Sequence, residues 1–356
     1  MTAMGAIDAD AHVDESEATW AHMTPAEASL RPASFALSEE RQFVAGDPRQ
    51  HRLWLINGIS RLRRFRDDKR TGTTRETREL IDIGARLAHM DALGIEVQVL
   101  YPTLLLHAVT TRADVELALC RSYNRWIAER TRGSNGRLRW AAMVPVLSIE
   151  RAAEELRFAR DHGACGFMKR GLEAGDRLCS DPYFFPLYEE AERLGLPMCV
   201  HQGTGNPQLS NANDTGQLGA LFVLAAFESL AAQSVPDRFP NLRFGFIEAG
   251  ASWIPYLLKE LRAKQERIDF QKSGYASDLL RCNRFYVTCD TLDDLPHLLQ
   301  CETEDNLMIG TDYSHADASA ELTAHSAVRD MAAQGKISKE TAEKITTANA
   351  RRFYGL

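Results

Sequence analysis

Apolar and polar positions along the chain follow two periods that alternate with each other. Short apolar runs typical of β-strands recur at intervals, and stretches with helical spacing lie between most of them, such as the face formed by Leu119, Tyr123 and Trp126. The predicted strands are residues 6–12, 97–102, 139–146, 166–169, 197–201, 243–248, 284–289 and 307–312. The predicted helices include residues 149–162, 186–194, 218–232, 253–268, 292–301 and 338–353.

This alternation predicts parallel βαβ units, and eight such units close into a (β/α)8 TIM barrel of the α/β class. The barrel accounts for residues 1–356 as a single domain. A doubly wound open sheet is the alternative, but it would place a glycine-rich phosphate-binding turn after the first strand. The first strand ends instead in Asp10-Ala11-His12, and the barrel is therefore favoured.

Residues 14–77, which follow the first strand, have no clear place in the repeat. An insertion on the catalytic side of a barrel is usually a lid or an oligomer contact. The basic run at residues 61–66 lies inside it and favours a solvated helix face. We therefore predict a large insertion, with a lid function, after strand 1.

Composition narrows the class of protein further. The chain has 356 residues, 44% hydrophobic and 26% charged, with 42 Lys and Arg against 49 Asp and Glu and a formal net charge of −7. These values are those of a globular protein, and the acidic balance disfavours nucleic-acid binding. No apolar run approaches the roughly 20 residues that span a membrane, and the opening residues do not resemble a secretory signal. The seven cysteines have irregular spacing, which favours buried reduced thiols and a cytoplasmic location.

Candidate metal ligands lie at the carboxyl ends of four predicted strands. Asp10 and His12 are two residues apart in strand 1 and so share one face of it. Strands 5, 6 and 8 end at His201, Glu248 and Asp312. A single His or Asp in such a place is more often a hydrogen-bonded residue or a helix cap. Since the same end of every barrel strand faces one pocket, their coincidence favours a divalent ion such as Zn, Mn or Fe.

The motifs that carry this pattern resemble the amidohydrolase superfamily. More narrowly, they are similar to its amidohydrolase-related branch, which includes the aminocarboxymuconate-semialdehyde decarboxylase-like enzymes. The resemblance covers nearly the whole chain except the insertion. Its motifs are Asp10-Ala11-His12, His201, the stretch of residues 248–257 that begins Glu248-Ala249-Gly250, and Gly310-Thr311-Asp312-Tyr313-Ser314-His315.

The resemblance implies roles for these residues. Asp10, His12, His201 and Asp312 would be metal ligands, and Asp312 would also position or deprotonate a metal-activated water. The decarboxylases of the branch usually have a His where this chain has Glu248, and a carboxylate at that position could bind a second metal ion. We therefore expect one or two divalent ions.

Three further residues are candidates for catalysis or substrate binding. His315 could hold the substrate or relay a proton. Lys169 and Arg170 end strand 4, where a Lys is similar to the bridging Lys of two-metal members of the superfamily. The simpler interpretation is that both residues bind an anionic group of the substrate.

The first hypothesis is a metal-dependent hydrolase that acts on an ester, thioester, amide or activated C–C bond of a small organic acid. The second is a metal-dependent non-oxidative decarboxylase of an aromatic or enoic acid, and Glu248 favours the first. A barrel that only binds a ligand, without catalysis, is a third hypothesis from another class. We expect a small carboxylate-type substrate, a homodimer, and no nucleic-acid or membrane partner.

Overall fold

The computed structural model describes residues 5–36, 51–64, 66–206, 217–268, 278–301, 303–316 and 318–356. In chain order its strands are β1 (Ala6–His12), β2 (Ala33–Ala36), β3 (His51–Ile56), β4 (Ile59–Arg64), β5 (Ile95–Tyr101), β6 (Leu138–Met143), β7 (Ala164–Arg170), β8 (Leu172–Glu173), β9 (Arg177–Leu178), β10 (Met198–His201), β11 (Phe244–Ile247), β12 (Phe285–Cys289) and β13 (Leu307–Ile309).

Its helices are α1 (Asp68–Thr71), α2 (Arg75–Arg78), α3 (Ile83–Leu93), α4 (Ala113–Thr131), α5 (Ile149–Asp161), α6 (Phe185–Leu194), α7 (Gln217–Ala232), α8 (Val235–Arg238), α9 (Ile254–Ile268), α10 (Leu279–Cys282), α11 (Leu295–Leu298), α12 (Ala324–Ala333), α13 (Lys339–Glu343) and α14 (Asn349–Tyr354). None of the helices among the described residues is both long and apolar enough to cross a membrane.

Eight parallel strands form one sheet in the order β1-β5-β6-β7-β10-β11-β12-β13. The sheet closes on itself because Ala11 bridges Tyr313 and the N–H of Asp312 donates to the carbonyl of Asp10 at 2.9 Å. Each of these strands falls on a predicted one, and the order follows the chain. The fold is therefore the predicted α/β (β/α)8 TIM barrel.

The barrel strands are buried on both faces because side chains fill the lumen and helices cover the outside. Every residue of β1, β7, β10, β11 and β12 is buried. A cluster of aromatic rings between strands and helices shows this packing: Phe227 of α7 lies 5.0 Å from both Phe246 and Phe285, centroid to centroid. The core therefore surrounds the strands and leaves their carboxyl ends as the place for polar residues.

Two predicted helices differ in detail from those observed. The helix predicted over residues 338–353 consists of α13, a π-helical segment at Lys344–Ala348, and α14. The helix predicted over residues 292–301 is shorter, consisting of α11 followed by a 3-10 turn at Leu299–Cys301. Pro296 in the first turn of α11 fits this start, since proline is tolerated there and not further along a helix.

The insertion contains the antiparallel sheet β2-β3-β4, and the prediction of a helix face for its basic run is wrong. Residues 61–64 belong to β4, where alternate side chains point to opposite faces. Arg63 is buried by this alternation, with its guanidinium 4.5 Å from the Trp54 ring and 2.6 Å from Glu17 Oε1. Residues 37–50 and 65 of the insertion lie outside the described residues, and the lid function stays a prediction.

Strand β1 contains a bulge that decides where its acidic residues point. Asp8 is paired with Gln98 and Ala11 with Leu100, so β1 has one more residue than β5 over this interval. The extra residue breaks the alternation between Asp8 and Asp10. As a result Asp8 bonds to groups behind the barrel wall, such as Gln98 and Thr311, whereas Asp10 reaches His201 across the lumen.

Candidate metal centre

The five predicted ligands meet at the carboxyl end of the barrel. Two come from the end of β1, one from the end of β10, and two from the residues just after β11 and β13; all five are buried. They and His315 form two overlapping groups of ligand atoms, each within 4.8 Å. The first group is Asp10, His12, His201 and Glu248, and the second is His12, Glu248, Asp312 and His315.

The first group is compact. The Nε2 atom of His12 lies 3.3 Å from Asp10 Oδ1 and 3.4 Å from Glu248 Oε2. The Nε2 atom of His201 lies 3.4 Å from the same Asp10 oxygen and 3.3 Å from the same Glu248 oxygen. Ligand atoms placed tetrahedrally about 2.0–2.1 Å from a zinc ion lie about 3.3–3.4 Å from one another. The spacing is thus that of ligands around a small cation.

The hydrogen bonds of His12 test whether the group fits a metal ion. Its Nδ1 lies 2.8 Å from the carbonyl oxygen of Pro102, which can only accept, so Nδ1 carries the proton. Its Nε2 is buried and has no hydrogen-bond partner among the described residues, and Glu248 Oε2 is in the same situation. Buried polar atoms are nearly always satisfied, and a metal-binding His typically donates its other N–H to a carbonyl. The residues therefore fit a divalent cation.

The charges of the cluster shift the pKa values of its members. Burial alone would lower the pKa of His12, but the negatively charged carboxylates of Asp10 and Glu248, 3.3 and 3.4 Å from Nε2, outweigh burial and raise it to about 10. Burial opposes ionisation of Glu248 in the same way, yet His12 and His315 hold its pKa well below its usual range. The pKa of Asp10 is lowered through His201 and His12. The carboxylates are therefore ionised at neutral pH and attract a positive charge.

Asp312, His315 and Thr103 form a chain beside the second group. Asp312 Oδ1 lies 3.3 Å from His12 Nε2 and 2.6 Å from His315 Nδ1. His315 Nε2 lies 3.2 Å from Thr103 Oγ1, and Ser319 Oγ donates to the other Asp312 oxygen at 3.1 Å. Burial, with the positive charges of His12 and Arg66, lowers the pKa of His315 to about 3. A neutral His315 can donate from Nδ1 to Asp312 and accept at Nε2 from Thr103.

Two of the predicted ligands, Glu248 and Asp312, have a left-handed backbone. Glu248 has φ of +55° and Asp312 has φ of +49°, both outside the regions that non-glycine residues prefer. The N–H of Glu248 donates to Thr288 Oγ1 at 2.8 Å and that of Asp312 to the Asp10 carbonyl. Gly310 lets β13 approach β1 this closely, because a Cβ there would lie 2.4 Å from Asp10 Cβ. Strained residues of this kind cluster at functional sites.

Among the described residues, neither Lys169 nor Arg170 contacts the imidazole–carboxylate cluster. In the sheet register Arg170 pairs with His201 and Lys169 with Val200, so the two side chains point to opposite faces of β7. Lys169 Nζ lies 3.3 Å from the centroid of the Phe184 ring and 3.8 Å from Glu173 Oε1. The structure does not bring Lys169 to the ligands, and it directs the guanidinium of Arg170 to backbone carbonyls.

Arg66 is a further functional candidate, which no motif in the sequence indicates. Its side chain is only 5% exposed, and its Nε lies 3.5 Å from Asp14 Oδ1. Its Nη2 is buried without a hydrogen-bond partner among the described residues. Its charge also acts on His315, as the lowered pKa of that residue shows. The basic run was the only signal in the sequence, and nothing in it distinguished Arg66 from its neighbours.

A (β/α)8 barrel with a buried imidazole–carboxylate cluster at the carboxyl ends of its strands defines a class of metal-binding enzymes. The family model described as amidohydrolase matches residues 7–356. The chain therefore belongs to the amidohydrolase family and is an enzyme of that superfamily.

Solved structures of other proteins have a similar fold. An amidohydrolase from Mycobacterium avium subsp. paratuberculosis K-10 has a TM-score of 0.76 and 20% identity, covering 100% of this chain and 99% of the other. A dihydroxybenzoic acid decarboxylase from Polaromonas sp. JS666, solved with bound manganese and the inhibitor 2-nitroresorcinol, has a TM-score of 0.61 and 21% identity over 82% and 91%. A 4-oxalomesaconate hydratase from Rhodopseudomonas palustris has a TM-score of 0.63 and 16% identity over 98% and 95%. At these identities the likeness shows the fold.

Proposed function

We propose that this protein is a metal-dependent hydrolase that uses an activated water on an ester, thioester, amide or activated C–C bond of a small organic acid. The observation that carries the proposal is the Nε2 atom of His12. It is buried among three carboxylates while Nδ1 is fixed on the Pro102 carbonyl. Such an atom is available for a cation and has no structural use of its own.

His12, His201, Asp10 and Glu248 would hold one divalent ion, and Zn, Mn or Fe would suit this mixed nitrogen and oxygen set. The second group shares His12 and Glu248 with the first, which supports room for one or two ions. When bound, the metal would polarise a substrate carbonyl and lower the pKa of water from 15.7 to about 7.

Asp312 and His315 would handle the proton of the attacking water. Asp312 has one oxygen at the ligand cluster and is oriented by Ser319 and by His315. A carboxylate held in this way can accept a proton, and the neutral imidazole can stabilise it or pass the proton on. With Nδ1 of His315 directed at the Asp312 carboxylate, the Thr103 hydroxyl can donate to Nε2 on the other side of the ring.

Arg66 would bind the acidic group of the substrate. Its guanidinium is buried beside the site, and Nη2 has no hydrogen-bond partner among the described residues. Guanidinium groups are suited to bidentate pairing with carboxylates. A substrate carboxylate at Arg66 would balance a charge that Asp14 balances only in part.

Non-oxidative decarboxylation of an aromatic or enoic acid is the second candidate. The decarboxylase from Polaromonas shares the fold and contains manganese, and Arg66 suits a carboxylic acid substrate equally well. Glu248 favours hydrolysis, because its ionised carboxylate carries no proton to give to carbon, whereas an imidazolium at that position would.

Metal content and reaction products test both candidates. We expect purified protein to contain one or two equivalents of a divalent metal per chain and to lose turnover with a chelator. A panel of aryl esters, thioesters and amides should yield an acid plus an alcohol, thiol or amine. Release of CO2 from a parallel panel of hydroxybenzoates would favour decarboxylation instead. A protein without metal and without chelator-sensitive turnover would contradict both and favour a barrel that only binds a ligand.

The expected homodimer and small carboxylate-type partner belong to the same proposal. Phe35 and Leu55 of the insertion sheet are large apolar residues that are 40% and 41% exposed, which supports a contact there. Sedimentation equilibrium of the full chain tests this, and a monomer at micromolar concentration would contradict it.

A further inference from the structure

The loop of residues 102–107, which follows β5, is fastened at its amino end by a buried carboxylate. Glu15 is 4% exposed, and its two oxygens accept hydrogen bonds from three successive backbone N–H groups. These come from Thr103 at 3.1 Å, Leu104 at 2.8 Å and Leu105 at 3.2 Å. Three such bonds to one charged group hold this part of the loop in one conformation.

The same loop is fastened at its carboxyl end by a buried guanidinium. Arg170 donates to the carbonyl oxygens of Leu105 at 2.5 Å, Leu106 at 2.9 Å and His107 at 3.3 Å. Glu173 orients Arg170 by accepting from its backbone N–H at 2.8 Å and from Nη1 at 3.3 Å. Nε and Nη2 of Arg170 are thus committed to the loop, and Nη1 to Glu173.

The fastened loop makes two contacts with the metal centre. The Pro102 carbonyl accepts from His12 Nδ1, and Thr103 Oγ1 contacts His315 Nε2. Gly203, two residues after the ligand His201, also packs on the loop, since a Cβ there would lie 2.2 Å from the Leu106 carbonyl oxygen. The loop therefore sets the orientation of two imidazoles.

We propose that Glu15 and Arg170 are positioning residues that orient the imidazoles of His12 and His315 through the 102–107 loop. The inference rests on the proposed metal-dependent function. It gives Arg170 a role other than binding the substrate, and it assigns a role to Glu15, which no motif in the sequence indicates. Neither residue contacts the cluster, so both act on it indirectly, through the conformation of the 102–107 loop.

Glu15→Gln tests the proposal with little change of shape. The amide has one acceptor oxygen, and its NH2 would face N–H donors, so part of the contact with the loop is lost. Removing a group that orients a ligand typically lowers metal affinity about 10–100-fold. We expect that loss for Mn²⁺ in a titration of metal-free protein at pH 8, above the value of about 7 to which burial raises the pKa of Glu15. The visible spectrum of the Co²⁺-loaded protein should also change.

Glu155→Gln is the matched control. Glu155 is 3% exposed and accepts from Asn124 and Arg125 between α4 and α5, away from the metal centre. This variant should lose thermal stability without any change in Mn²⁺ affinity or Co²⁺ spectrum. Arg170→Lys provides a second variant in case Glu15→Gln fails to fold, and it should weaken Mn²⁺ binding because one ammonium cannot reach three carbonyls.

The outcomes separate this inference from the proposed function. Normal Mn²⁺ affinity and an unchanged Co²⁺ spectrum in every variant of Glu15 and Arg170 that folds, with a wild type that binds metal, would overturn the positioning role alone. A wild type that binds neither metal would overturn the proposed function and this inference with it. Weakened binding in Glu15→Gln or Arg170→Lys, but not in Glu155→Gln, would support the positioning role.

Discussion

Strand β1 supplies two buried polar clusters that lie back to back, one on each side of the barrel wall. The inner cluster contains Asp10 and His12, and the outer one contains Asp8. The bulge between Asp8 and Ala11 separates them. The two clusters have similar burial and similar charged groups, but they differ in how many of their polar atoms have partners.

The outer cluster is satisfied by short hydrogen bonds. Asp8 accepts from the N–H of Thr311 at 2.8 Å, its hydroxyl at 2.6 Å and Gln98 Nε2 at 2.8 Å. Arg86 is fully buried, donates to Gln98 at 2.8 Å and reaches the carbonyls of His12 and Thr77. Its guanidinium also lies 3.5 Å from the centroid of the Tyr313 ring.

The inner cluster has the opposite character. His12 Nε2 and Glu248 Oε2 are buried without hydrogen bonds among the described residues, and their contacts are 3.3–3.4 Å. A buried charge without hydrogen bonds is costly, so natural proteins keep one where it serves binding or catalysis. The outer cluster therefore supports the fold, whereas the inner one has the arrangement of a group that could hold a metal ion.

The largest expected effect belongs to the inner side. Asp312→Asn should lower kcat by about 10²–10⁴-fold on any substrate that the wild type turns over, because an amide cannot accept the proton. Asn also tolerates the left-handed backbone at this position, so the melting temperature should change little. Near-normal kcat in this variant would show that Asp312 is not the base.

The second prediction compares the stability and the metal content of one variant from each cluster. Arg86→Met leaves buried acceptors of Gln98, His12 and Thr77 without a donor, and the free energy of unfolding in urea should fall by about 3–5 kcal/mol. Glu248→Gln should cost much less stability and should instead lower the metal content per chain. Equal losses of stability in the two variants would contradict the division into a structural and a binding cluster.

The smallest effect concerns pH and the inner cluster alone. In the metal-free protein the pKa of His12 is about 10 against an ordinary 6.5. Its protonated form therefore stabilises the fold fully below pH 6.5, and this contribution is lost as the pH rises toward 10. Bound metal must displace that proton, so the affinity for Mn²⁺ should rise with pH, by about 1.4 kcal/mol per unit between pH 7 and 9. An affinity that is flat over this range, measured by titration, would contradict a role for His12 as a ligand.

The fold and most of the inner cluster could be predicted from the sequence because their signals are local. The period of apolar residues locates each strand. The carboxyl ends of all barrel strands line the same pocket, so a polar residue there can be assigned to that pocket. The alternation of side chains could also have separated Lys169 from Arg170, since adjacent residues in β7 cannot both point into the lumen.

The outer cluster and the fastened loop could not be predicted. The bulge that turns Asp8 outward depends on the pairing of β1 with β5 and leaves no mark in the sequence. Glu15 contacts the 102–107 loop, and the charge of Arg66 acts on His315, across large distances along the chain. In the sequence, Arg66 is the last residue of a basic run that resembles a solvated surface, and nothing there indicates that its side chain is buried.

The left-handed backbone at Glu248 and Asp312 has an evolutionary consequence. Each such residue costs about 1–3 kcal/mol, and glycine at either position would relieve that cost. A descendant of this gene released from selection for catalysis would gain stability by replacing these two residues. We therefore expect relatives that keep the barrel but have lost catalytic activity to carry glycine or asparagine at positions 248 and 312.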